Sequence, residues 1–76
     1  MNEKDKIINN LFANVDYTAE AENYLYYGVT DREEIKEDVR YCMKESLKEY
    51  LIFDEPNEED VETYVNGIMN VIESRD

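Results

Sequence analysis

The sequence predicts an all-α domain, a bundle of about four helices whose last two form a long antiparallel hairpin. Three observations carry that expectation. Apolar residues recur at intervals of three and four along most of the chain, the spacing of a helix face. Gly28 and the single Pro, Pro56, fall between periodic segments, where they punctuate. From Arg32 to Leu51 the chain repeats every four residues, and each of the five blocks opens on a base and closes on an apolar residue. With 76 residues there is material for one small domain, residues 1–76, and no linker or low-complexity tract divides it.

The first helix is expected over about Asn2 to Ala13, with Ile7, Ile8, Leu11, Phe12 and Val15 on one face. Asn14 and Asp16 punctuate its end. A second, weaker segment runs from about Tyr17 to Tyr27, with Tyr17, Ala21, Tyr24 and Leu25 on a face. Its run Tyr24-Leu25-Tyr26-Tyr27 is also compatible with a short strand, although no partner strand is evident. Gly28 stands where a helix end wants a left-handed residue.

The third helix opens on Thr30-Asp31-Arg32-Glu33, which reads as a capping box between Thr30 and Glu33. Ile35, Val39, Cys42, Met43, Ser46, Leu47, Tyr50 and Phe53 form one broad band expected to face the core. Pro56 then disfavours helical geometry at Glu55, and Asn57 is a good N-cap for a fourth helix reaching about Glu73. Val61, Tyr64, Val65, Ile68, Met69 and Ile72 share one face of that helix, with Val71 beside them. Gly67 is expected on the opposite, polar side.

Charge narrows the functional classes. Twenty acids against eight bases give a formal net charge of -12, with no His, no Trp and one Cys. Without imidazole there is no His-activated nucleophile, and one Cys makes neither an internal disulfide nor a thiolate zinc site. Cys42 reads as a small core hydrophobe. Such a chain repels nucleic acid and anionic membrane surfaces, so neither is an expected partner. No apolar run is long enough to span a bilayer and no targeting segment is apparent, which makes the cytoplasm the expected compartment.

The acids are unevenly spread. Residues 54–76 carry eight of them against one base, and Asp54, Glu55, Glu58, Glu59, Asp60 and Glu62 lie within nine residues. Glu58, Glu59 and Asp60 suit a helix first turn, but capping needs fewer. A second anionic face is expected on the third helix, where Glu34, Glu37, Asp38, Tyr41 and Glu45 lie opposite the apolar band. Glu33, Glu37 and Glu45 can pair with Lys36, Arg40 and Lys48 three residues on, whereas Glu34 and Asp38 have no such base and flank Tyr41.

These two acidic patches predict a non-catalytic protein that binds and regulates a basic protein, itself built to hold nucleic acid or another polyanion. In size and charge the chain is similar to small acidic proteins that mimic DNA, among them phage-encoded inhibitors of host nucleases and defence complexes. An alternative expectation is a structural or oligomerisation module, a homodimer included, touching its partner through Tyr64, Met69 and the Ile and Val positions. No cofactor is expected. A calcium loop starting at Asp54 fails, with Pro56 third, Glu59 sixth and Val65 twelfth. Glu34-x-x-Glu37 with Asp38, and Glu59-x-x-Glu62, resemble the paired acidic motifs of all-α nucleoside triphosphate pyrophosphatases. That resemblance implies magnesium held between facing helices. The second motif ends in Glu where that family has Asp, and the phosphate-binding Lys and Asn are not evident.

Overall fold

The computed structural model describes residues 3–75. Four helices follow one another: α1 (Glu3–Phe12), α2 (Tyr17–Tyr26), α3 (Arg32–Lys48) and α4 (Glu58–Ser74). The described residues contain no strand, so Tyr24 to Tyr26 close a helix. The Asn2 start expected for the first helix lies outside the described residues. α3 and α4 form the antiparallel hairpin; α2 packs chiefly on α4, and α1 spans both members. The domain is elongated, 38 × 19 × 17 Å. Among the described residues no helix is long and apolar enough to cross a membrane.

One core joins all four helices. Ile8 enters from α1, Ala21 from α2, and Ile35, Val39, Met43 and Leu47 from α3. Val61, Tyr64, Val65, Ile68 and Ile72 complete it from α4. On α3 and α4 these are the i, i+4 and i, i+3 positions that periodicity selects. Aromatic rings seal one side: Phe12 meets Tyr64 edge-on at 5.1 Å, and Tyr17 meets it tilted at 5.6 Å.

The helix ends correct several expectations. α3 is capped by Asp31, whose carboxylate accepts from the Glu33 amide, so the Thr30 capping box does not form. Asn57 occupies the N-cap position of α4, yet its side chain makes no cap bond. It donates instead to Asp5 Oδ1, tying α1 to the start of α4. α2 is capped by Asp16, which accepts from the Thr18 and Ala19 amides.

The core-facing band on α3 is narrower than expected, because helix geometry stops at Lys48. Tyr50 and Phe53 lie beyond it and are largely exposed, and Cys42 is exposed on the shoulder of the helix. The chain closes α3 with bonds from Leu51 N to Lys48 O and from Ile52 N to Leu47 O, the pattern that usually places Gly at its left-handed position. Here that position holds Leu51, with φ of 63° and 79% exposure. A left-handed L-residue costs about 1–2 kcal/mol, and Gly loses about 0.5–1 kcal/mol more chain entropy on folding. Leu51→Gly is therefore expected to stabilise the domain by about 0.5–1 kcal/mol, read as a higher urea midpoint at unchanged slope.

Candidate interaction surface

The period of four on α3 places Arg32, Lys36, Arg40 and Lys44 along one side of the helix, because each step of four winds only slightly around it. In the hairpin that stripe lies against the acids of residues 54–62. Lys44 Nζ meets Glu55 Oε1 at 2.8 Å, and Arg40 Nη2 meets Glu58 Oε2 at 3.0 Å. Lys36 Nζ reaches Glu58 at 2.7 Å and Glu62 at 2.5 Å, and Arg32 closes the ladder on Glu62. From α1, Lys4 Nζ donates to the Glu55 carbonyl at 2.8 Å.

The acidic cluster is thereby divided. Glu55, Glu58 and Glu62 answer the fold's own bases, Asp60 turns toward α1, and Asp54 and Glu59 remain exposed outside the ladder. Asp60 Oδ2 is buried without a hydrogen-bond donor. It borders a pocket of about 390 Å³ walled by Ile8, Phe12, Tyr17, Met43 and Tyr64 among others. Burial, then the neighbouring Asp5 carboxylate, pushes the Asp60 pKa up.

Ladder carboxylates shift the other way. Hydrogen bonds from Lys44 to Glu55, and from Lys36 to both Glu58 and Glu62, are the largest causes lowering their pKa values. A depressed folded-state pKa means stabilisation that is present above the ordinary Glu value of 4.5 and lost as pH falls through the folded values. The urea midpoint should therefore fall on acidification from neutrality to about pH 3, and Glu58→Gln with Glu62→Gln should flatten that fall. Asp60 opposes the trend, since protonation relieves it.

On the opposite side of α3 the pairs expected three residues apart form in two cases. Arg40 Nη1 lies 3.8 Å from Glu37, and Lys48 Nζ 3.3 Å from Glu45. Lys36 is drawn across to α4, which leaves Glu33 without that pairing. Tyr41 is exposed, and its phenol bonds to Glu45, the main reason that its pKa is raised. It is therefore coupled to Glu45 more directly than to Glu34 or Asp38.

Glu34 and Asp38 face a different neighbour. They line an open groove of about 450 Å³ with Tyr24, Tyr27 and Val29. Tyr24 Oη donates to Asp38 Oδ2 at 2.5 Å, and burial with that bond raises the phenol pKa far above its ordinary value. Tyr24, Tyr27 and Val29 were not identifiable as surface residues from periodicity alone. The available signal was Gly28: with φ of 72° it closes α2 and turns Val29 back toward Tyr24. Tyr26 is exposed and sits edge-on to Tyr27 at 5.0 Å.

Other expected sites take a different form. Glu62 is held by Arg32 and Lys36, while Glu34 and Asp38 belong to the groove, so the two acid pairs do not converge. Among the described residues no group of three or more acidic or Cys side chains is placed to hold a metal ion. The Cys42 thiol is raised by desolvation, then by Asp38 and Glu20, which disfavours a reactive thiolate. Tyr64, Ile68 and Ile72, considered above for a subunit contact, are enclosed within the chain's own core. Three of the large exposed apolar residues, Tyr50, Leu51 and Phe53, stand instead together around the α3–α4 turn.

No protein-family model matches the sequence, no curated protein matches it, and no solved structure matches the fold.

Proposed function

We propose that the chain is a non-catalytic binding protein that engages and regulates a basic protein through the face shared by α2 and α3. One observation carries this reading. The bases Arg32, Lys36, Arg40 and Lys44 are committed to the acids of residues 55–62, so no ion pair reaches Glu34 or Asp38 among the described residues. Of the six acids in residues 54–62, Glu55, Glu58 and Glu62 are answered inside the fold. Besides Asp54 and Glu59, the exposed anionic charge outside the ladder includes Glu34 and Asp38 on the opposite side of α3, and only these two stand beside exposed tyrosines.

Side chains at i and i+4 spring from Cβ atoms about 5–6 Å apart, near the spacing of successive phosphates. A rigid helix carrying them loses little ordering entropy on association. A protein whose groove is built for a polyanion is the matching class of partner, and inhibition by occupying that groove is the matching action.

Immobilised chain should capture such a partner from the native cell at about 50 mM salt and release it at about 300 mM. Glu34→Gln with Asp38→Asn should abolish capture, whereas Glu58→Gln with Glu59→Gln should leave it. Capture that ignores both salt and the Glu34/Asp38 pair defeats the reading. If Phe53→Ser alone removes it, the contact is apolar and made by the Tyr50–Phe53 turn, whose exposure supports the structural-module alternative.

A further inference from the structure

We infer that the groove between the end of α2 and the first half of α3 receives an arginine side chain, its guanidinium set against the Tyr27 ring and the Glu34 and Asp38 carboxylates. This inference rests on the proposal that the partner is basic, and adds where and how one of its side chains is read.

The groove combines two kinds of wall. Glu34 and Asp38 supply carboxylates one helical turn apart, and Tyr24, Tyr27 and Val29 supply rings and an aliphatic floor, with no base among the five. An anion is repelled there, and a neutral ligand leaves the carboxylates unanswered. A cation with an apolar stem matches both walls.

The local backbone is set before any ligand arrives. Gly28 N donates to Leu25 O at 3.1 Å and Val29 N to Tyr24 O at 2.8 Å, which closes α2 in a defined turn. This places Val29 against Tyr24, the apolar contact that commonly accompanies such a helix end. Tyr24 Oη then donates to Asp38 Oδ2, orienting the carboxylate and leaving Oδ1 to accept from elsewhere. Tyr26 braces Tyr27 from the side.

Arginine fits better than lysine for a geometric reason. A guanidinium is planar and carries five donors, so it can stack on a ring while bonding along its edge to carboxylates one helical turn apart. An ammonium is a compact, strongly hydrated point charge that can bridge two carboxylates one turn apart, as Lys36 does, but it has no planar face to lay on the ring. Both are attracted to a ring face, and Arg is found there more often.

The test uses the full chain and three short peptides identical except for one pair of positions, holding Arg, Lys or citrulline, titrated at low salt with amide chemical shifts as readout. The Arg peptide should shift Tyr24, Tyr27, Val29, Glu34 and Asp38, bind several-fold more tightly than the Lys peptide, and exceed the uncharged citrulline peptide by more. Tyr27→Ala should weaken Arg binding about five- to tenfold with unchanged far-UV circular dichroism, and Tyr27→Phe should restore it. Arg and Lys binding equally with no effect of Tyr27→Ala would overturn the groove while sparing the proposed α2–α3 face; Arg shifts centred on Asp54 and Glu59 would overturn both the groove and that face, leaving only the basic partner. Failure of both cationic peptides to bind would overturn the groove and the basic-partner proposal together.

Discussion

Ile68→Ala is expected to remove about 2–5 kcal/mol of stability, the range for deleting most of a fully buried aliphatic side chain. Ile68 has no exposed surface and sits in the α4 stripe that meets the other helices. A chain of this size has roughly 4–11 kcal/mol in all, at about 0.05–0.15 kcal/mol per residue. The variant should therefore lose a large fraction of its margin, with a urea midpoint well below that of the parent at similar slope. Met69→Ala, one position on and only half-buried, should cost distinctly less. Equal effects at the two positions would mean that the helix is rotated from the orientation described.

Gly67→Ala has the opposite sign from the one helix propensity gives. In an exposed helix interior the change should stabilise by about 1 kcal/mol. At Gly67 an added Cβ would stand 2.5 Å from Tyr17 Cε1 and 2.6 Å from its Cδ1. The ring is also in contact with Tyr64, so moving it disturbs the aromatic seal. We expect a loss of about 1–3 kcal/mol, the cost of overpacking. In a Tyr17→Ala background the same substitution should turn neutral or stabilising, and the coupling between the two changes measures the contact. Gly67 is thus the close-approach point of α2 on α4, and the expectation that it faces the polar side is corrected.

Periodicity was a good guide wherever a residue lay on a long helix. The four-residue repeat of α3 and the apolar stripe of α4 placed Ile35, Val39, Met43, Leu47, Val61, Val65, Ile68 and Ile72 in the core, and all are buried. It failed at the ends. Tyr50 and Phe53 continue the pattern of α3 on paper, but the chain turns through Leu51 before they can use it. Pattern alone does not register where a helix stops, since capping depends on local bonds between backbone and side chain.

The charged surface was legible in part. Glu34 and Asp38 were separable from Glu33, Glu37 and Glu45 because no base stood three residues on from them. The fate of residues 54–62 was not, since an acid run looks the same whether it faces solvent or a facing helix. Tyr24 and Tyr27 join the candidate site only when α2 is laid beside α3.

By itself the sequence determined the helical class, the hairpin, the core stripes and a large excess of negative charge, because these depend on spacing along one chain. Which acids are neutralised within the fold was decided only by tertiary structure, as was the groove where tyrosines meet carboxylates. Coulomb energy and ring contact depend on distance in space, and the pairs Lys44–Glu55 and Tyr24–Asp38 become neighbours only when the helices pack.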